Sequence, residues 1–411
     1  MRQAMGKPTA GNGLMLSDCS TGPLNGKSLH RNPALLTVHP GKDDSVPLDR
    51  DLRLDLCRGL ALWCVFLDHI PKNVFSWLTL RHYGFSDATE VFMFVSGVTC
   101  ALSYSSVRRR DGWATVLAHT LLRSWEIYAA FLILTIALAI VAYSSGSNRL
   151  ADEANVKILL QEPGAALAHA AILMYRPVNT DVLPTFVLFH LSFAPALWGI
   201  SKFPGASLLI SAFLYALVQL YGWNLPQWPV NLWYFNPFAW QLLVVLGAWW
   251  AIRGYRMFGR KIASWPVVAL AIAYLGFGLV ITLSWQIEPL AAAVPSYIAR
   301  LIYPIDKPDL DPLRLLHFLA IAVVVARFVP PNWRGLARGG LRGAIRCGER
   351  SLETYCAAVV LSLLASLYLI EVSDSIAAQF LTSAAGIAAL VLFATCLAWI
   401  GKRSRQHPKL L

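Results

Sequence analysis

The sequence predicts an all-α, polytopic membrane protein with about ten transmembrane helices and both termini in the cytosol. Three observations carry this. The 411 residues are 56% hydrophobic and only 14% charged, with a mean hydropathy of +0.53, which is too apolar for a soluble enzyme of this length. The apolar residues fall into ten nearly uncharged runs of about twenty residues, the length that crosses a bilayer as a helix. The loops between those runs sort by charge: 25 of the 35 Lys and Arg lie on the side shared by the two termini, and only seven lie in the opposite loops. Such a bias orients helices with the basic side in the cytosol. The net charge of +12 is therefore a topology signal, and nucleic acid is not expected as a partner.

The runs follow in order. Residues 1–50 mix Gly, Pro, Ser, Asn and basic residues with no sizeable apolar core, and read as a disordered cytosolic tail with no signal peptide before the first span. The transmembrane domain occupies 51–401, with spans at 52–70, 86–107, 121–143, 182–200, 203–221, 237–252, 265–285, 312–328, 351–370 and 375–400, and 402–411 form a basic cytosolic tail. Two outer loops are long. In 144–181 an amphipathic stretch, 156–174, suits the membrane surface. The loop 286–311 is proline-rich and ends on Asp306, Asp309 and Asp311. Long loops on a compact scaffold tend to carry binding work, which places the second substrate outside. Five of the seven cysteines sit inside apolar runs without ligand spacing, so neither disulfides nor a metal site is expected.

The first span holds the chemistry. Residues 52–71 read LRLDLCRGLALWCVFLDHIP, an apolar helix with Asp55 and Arg58 near its start and Asp68 and His69 near its end. Eleven residues at 100° each return Arg58 and His69 to within about 20° of one face, about 16 Å apart along the axis. Ionised groups at bilayer depth face a protein interior or a wet cavity, so this helix is read as the inner wall of an active site. Arg58 and His69 are the central candidates, with Asp55 and Asp68 beside them as substrate-binding candidates. Asp68 points about 100° away from His69 and is a poor partner for it. Asp87 and Glu90, three apart at the start of the second span, are placed facing the first helix, Glu90 as the group that orients the imidazole. The plainer alternative pairs them with Arg81 or Lys72. Arg314 and His317 share a face of the eighth span and are candidates for a carboxylate or sugar. Arg123 and Glu126 read as a structural pair, and His190 and His119 as core or interface residues.

Several stretches resemble the OpgC family: RLDLCRGLA at 53–61, DHIP at 68–71, SWLTLR at 76–81, GFSDATEVFMFVSG at 84–97, DVLP at 181–184, WYFNPFAWQ at 233–241, and Lys307 through LRLLHF at 313–318. The resemblance covers nearly all of the membrane region. It implies a transferase of the bacterial inner membrane that places succinyl groups on osmoregulated periplasmic glucans. That family is similar to the wider acyltransferase-3 group, whose first helix carries an arginine and, eleven positions on, a histidine; Arg58 and His69 match that spacing. The wider group's RxxR pair after the second helix is not reproduced, because Arg108, Arg109 and Arg110 are followed by Asp111, Gly112 and Trp113. The resemblance carries donor binding to those three arginines only weakly.

The expectation that follows is a membrane-embedded O-acyltransferase. It moves an acyl group, succinyl by the resemblance, from cytosolic acyl-coenzyme A to hydroxyls of a periplasmic glucan. Arg58 steadies an anionic part of the donor and His69 acts as general base. No permanently bound cofactor is implied; the acyl-coenzyme A is a co-substrate, and the resemblance adds the lipid bilayer and glucan-synthesis proteins as expected partners. The alternatives are acetyl transfer to another envelope polysaccharide, and a secondary transporter or flippase that uses Arg58, Asp68, His69 and Glu90 as a relay. The lack of an internal repeat weighs against the transporter.

Overall fold

The computed structural model describes residues 51–330, 333–337 and 339–406. The tail expected at 1–50 lies outside them. All ten apolar runs are helical. The chain begins with α1 (Leu52–Asp68) and α2 (Ala88–Ser145), then three short helices, α3 (Asn148–Glu153), α4 (Lys157–Gln161) and α5 (Pro163–Ala171). It continues with α6 (Val182–Lys202), α7 (Pro204–Tyr221), α8 (Pro237–Trp249), α9 (Tyr255–Ile262) and α10 (Trp265–Ser284). Two short helices, α11 (Glu288–Ala293) and α12 (Ser296–Ile302), lead to α13 (Pro312–Phe328), α14 (Gly339–Glu349), α15 (Ser351–Glu371) and α16 (Ile376–Gln406). Between α7 and α8 a small antiparallel pair, β1 (Pro226–Gln227) and β2 (Asn231–Leu232), makes a hairpin. Among the described residues six helices, α2, α6, α7, α10, α15 and α16, are long and apolar enough to cross a membrane by length and composition. The helices α1, α8 and α13 are shorter, at 17, 13 and 17 residues.

Three features differ from the sequence reading. The second and third runs are not separated by a loop. They are two helices that meet at a kink, where Gly112, at φ 82° and ψ −177°, leaves helical geometry; both are counted within α2. No proline lies in 88–145; the chain turns at Gly112, where a residue without a Cβ takes the positive φ that the kink requires. The amphipathic stretch at 156–174 is two short helices rather than one, broken at Glu162 and Pro163. Finally, α16 extends through 402–406, so helix continues into the segment read as tail.

The basic stretch before α15 contains α14, which the sequence reading missed. It packs directly along α1: a Cβ at Gly59 would stand 1.7 Å from the Ala344 carbonyl oxygen, and one at Gly348 1.8 Å from that of Asp55. Glycine on each helix is what lets the two backbones meet. The same end of α1 is fixed by Asp51, whose side chain accepts from the Arg53 amide at 3.1 Å and pairs with the Arg53 guanidinium at 2.6 Å.

At the other end the helices around α1 are capped by side chains that also tie loops down. Asp87 caps α2 by accepting from the Thr89 amide at 2.8 Å, and the Glu90 carboxylate accepts from the Asp87 amide at 2.9 Å, a complete capping box. Asn236 caps α8 and donates to Asp309 at 2.7 Å, while the Trp240 indole donates to the Pro308 carbonyl at 2.9 Å. Asp311 caps α13 through the Leu313 amide at 2.7 Å. The acidic end of the 286–311 loop therefore serves mainly as helix caps and loop ties. The segment 306–311 is held against α8, and Lys307 is delivered inward.

Candidate functional site

Two cavities flank α1, one toward each end. The one at the Arg58 end, called inner after the orientation that the loop charges predict, is about 340 Å³ and is lined by Arg58, Arg123, Tyr104, His190, Arg350 and Glu353, among others. The outer one, about 810 Å³, is lined by Asp68, His69, Asp87, Arg176, Asp181, Lys307 and Arg314, with Gln227, Asn231, Tyr234 and Trp285 on its far wall. Phe92, Val182 and Tyr355 line both. The two spaces therefore meet across a shared wall of three side chains from α2, α6 and α15, and the Arg58 and His69 face of α1 runs past it.

Arg58 sits where helical phase puts it. Its guanidinium donates to the Ser351 hydroxyl and lies over the Phe92 ring, 5.9 Å from the centroid. His69 caps the C-terminus of α1, its amide bonding back to the Val65 carbonyl at 3.0 Å. Its ring lines the outer cavity, and its buried Nδ1 has no hydrogen-bond partner. Asp68 lines the same cavity, because α1 ends there and the chain turns; its carboxylate accepts from the Thr79 hydroxyl at 2.8 Å.

Asp87 and Glu90 do not orient His69. They form the centre of a buried ion cluster whose cations come from more than 200 residues away in the chain. Arg314 donates to Glu90 at 2.5 Å and to Asp87 at 3.1 Å, and the Lys307 ammonium reaches Asp87 at 2.6 Å. Neither Arg81 nor Lys72, the partners considered from sequence, has an ion pair to them; two acids face two cations, fully satisfied by the capping box on one side and the pairs on the other. Burial alone would pull the Lys307 ammonium down, but Asp87 offsets this and its pKa is raised. Lys307 is thus committed to Asp87.

Three other candidates stand apart from the cavities. His317 is on α13 one turn from Arg314 but points behind the cavity wall: its Nδ1 pairs with the Ser86 hydroxyl at 2.8 Å, and its ring fills a slot where a Cβ at Gly84 or Gly278 would collide with it. It is a packing histidine in this arrangement. Asp55 is buried at the α1 and α14 contact and lines neither cavity. Arg108, Arg109 and Arg110 occupy α2 just before its bend and also line neither cavity; Arg108 rests on the Trp113 ring at 5.3 Å.

Other residues belong to the site without having been singled out as site residues from sequence. His190 lines the inner cavity with its Nδ1 3.4 Å from the Tyr104 hydroxyl. Arg123 lines that cavity too, although its 2.7 Å pair with Glu126 is there as expected. Arg176, buried at 1% exposure, lines the outer cavity and lies 4.4 Å above the Trp233 ring. Tyr355 donates to the Asn179 carbonyl at 2.5 Å and so pins the loop before α6 to the shared wall. Lys307 and the 181–184 and 233–241 stretches, which also border the outer cavity, had stood out in the sequence through the resemblance.

A polar face that joins two cavities at opposite ends of a helix suits a reaction whose two substrates arrive from opposite sides. A family model described as OpgC protein matches residues 50–402. No curated protein and no solved structure gives a match.

Proposed function

Because this chain belongs to the OpgC family, which implies acyl transfer to glucans, we propose that it is an O-acyltransferase of the bacterial inner membrane, crossing ten times with both termini in the cytosol. In this reading the donor is an acyl-coenzyme A approaching the inner cavity from the cytosol, the acceptor is a hydroxyl of a periplasmic glucan in the outer cavity, and the acyl group is succinyl. The observation that carries the reading is the pair of cavities meeting at Phe92, Val182 and Tyr355 with Arg58 on one and His69 on the other.

The reaction in this frame is direct transfer. The acceptor hydroxyl oxygen attacks the thioester carbonyl carbon as His69 takes the hydroxyl proton. The tetrahedral intermediate collapses, the carbon–sulfur bond breaks, and the departing sulfur receives the proton from the imidazolium. The products are an ester and free coenzyme A. Arg58, held by Ser351 and Phe92, steadies an anionic portion of the donor at the inner end. An imidazole whose Nδ1 has no protein partner keeps its hydrogen-bonding capacity for substrate.

The test is mass spectrometry of periplasmic glucans from cells lacking the gene, restored with the wild type or with His69→Ala. A succinate mass increment that is lost on deletion and returned by the wild type alone supports the reaction and the base. An acetate increment changes the donor, and unchanged glucans in all strains refute the reading and move the search to transport.

A further inference from the structure

The cations of the outer cavity are not equally satisfied. Lys307 and Arg314 face Asp87 and Glu90 at 2.5–3.1 Å, two charges against two. Arg176 is matched less closely, by one carboxylate that is not within hydrogen-bond length. Its side chain is fully buried, one Nη2 hydrogen goes to the Gln227 side-chain oxygen at 2.6 Å, and the nearest carboxylate, Asp181, lies 3.6 Å from Nε, beyond hydrogen-bond length. Nε and Nη1 have no hydrogen-bond partner.

A guanidinium offers five donors, and a buried one left largely unused is costly. The position is nevertheless built: Trp233 fixes the plane of the group from below and Gln227 fixes its rotation. A rigid planar fork with unpartnered donors on a cavity wall matches a carboxylate, which takes two parallel hydrogen bonds that Asp181, at 3.6 Å, does not supply. Burial pulls the Arg176 pKa down to about 10 and Asp181 only partly offsets it, so a bound anion restores what the fold withholds.

We infer that Arg176 determines acyl specificity by binding the far carboxylate of a dicarboxylic acyl group. The inference rests on the acyl-transfer reading above. Of the two substrates in that reading, a glucan hydroxyl is neutral, and only a donor with a second carboxyl brings an anion into this cavity. The place agrees. Arg176 begins the segment that ends at Val182, a shared-wall residue, and Tyr355, another, is bonded to Asn179 within it. Arg176 and His69 line the same cavity, so the group that holds the acyl chain and the group that takes the proton face one space.

The experiment uses the full-length chain, purified in detergent or nanodiscs, with purified glucan and two donors of equal chain length, succinyl-coenzyme A and butyryl-coenzyme A. Wild type is expected to prefer the succinyl donor. Arg176→Met is expected to lose succinyl transfer by about a hundredfold or more, while butyryl transfer stays within about threefold; a polar site that loses its partner discriminates on this scale. Arg176→Lys, which keeps charge and loses the fork, falls between. Retained butyryl transfer also reports that the variant is folded. An equal loss of both donors, or unchanged succinyl transfer, overturns the inference. Thermal stabilisation by monomethyl succinate against methyl butyrate is measured in parallel. Stabilisation by the anion alone, absent in Arg176→Met, supports the anion site even where the wild type transfers neither acyl group, an outcome that refutes the enzyme reading instead. Equal stabilisation of wild type and variant counts against the site.

Discussion

The two cavities differ in how their charges are held. At the inner one the ion pairs are local and soft: Arg123 with Glu126 and Arg350 with Glu353 are three residues apart on their own helices, and their side chains are 35–57% exposed. At the outer one the pairs join α2 to α13 and to the loop before it, and the Arg314 and Glu90 side chains are 10% and 0% exposed. Exposed pairs of the first kind contribute little and rearrange easily, whereas removing one partner of a buried pair leaves an uncompensated charge. The charges of the inner cavity are thus free to rearrange, as the donor in the proposed reaction requires, whereas those of the outer cavity form a fixed frame. On the walls of that cavity His69 Nδ1, Arg314 Nε and two nitrogens of Arg176 have no hydrogen-bond partner, and Arg176 has the most donors unused.

The largest effect that tests this contrast is at the reacting group. His69→Ala is expected to reduce transfer by about a thousandfold or more, within the range for loss of a general base, with the protein still inserted and monodisperse. Turnover is read by the mass increment on glucan. Wild-type turnover in the mutant removes His69 as the base and leaves the outer cavity without a reacting side chain.

The next test compares the frames themselves. Arg314→Met strands Glu90 and half of Asp87, and is expected to destabilise the protein by about 3–5 kcal/mol. Arg123→Met, at the inner mouth, is expected to cost no more than about 1 kcal/mol. Thermal unfolding of the two purified variants decides: similar losses would break the distinction between a rigid outer and a soft inner cavity. A third test asks what the inner mouth holds. Arg58→Lys keeps the charge but not the planar group that donates to Ser351 and covers Phe92, so the apparent KM for the donor is expected to rise about tenfold with kcat changed less. An unchanged donor KM places the donor elsewhere.

The parts of this arrangement that a sequence discloses are those set by local geometry. The phase of Arg58 and His69 follows from helix pitch, and the ten apolar runs follow from hydropathy. The partners of Asp87 and Glu90 did not follow, because Lys307 and Arg314 are 220–227 residues away and helix-surface spacing says nothing across that gap. The reading of Asp87 and Glu90 as partners of His69 failed for that reason. Arg176 was counted among the orienting loop charges, and a buried arginine looks the same in sequence as an exposed one. The basic stretch that forms α14 was hidden similarly: its arginines read as a cytosolic loop, and only the meeting of Gly59 with Ala344 reveals it as a helix packed on α1.

The smallest expected effect concerns Arg108, Arg109 and Arg110, to which the resemblance to the acyltransferase-3 group carried a donor-binding role. The helix continues through them to Gly112, and Arg109 and Arg110 are exposed. The inner cavity is bounded on α2 by residues up to Tyr104 and again by Arg123, leaving the three arginines outside it. Arg109→Ala therefore removes a solvated charge at the bend and is expected to change the donor KM by less than about threefold at moderate salt, where exposed charges are screened. The comparison with Arg58→Lys is the informative one. A tenfold rise for Arg109→Ala that weakens with added salt would mean that the donor extends past the inner cavity and along the bend of α2. The adaptable inner mouth would then reach as far as Gly112, and the departure from the RxxR pattern would be one of spacing rather than of role.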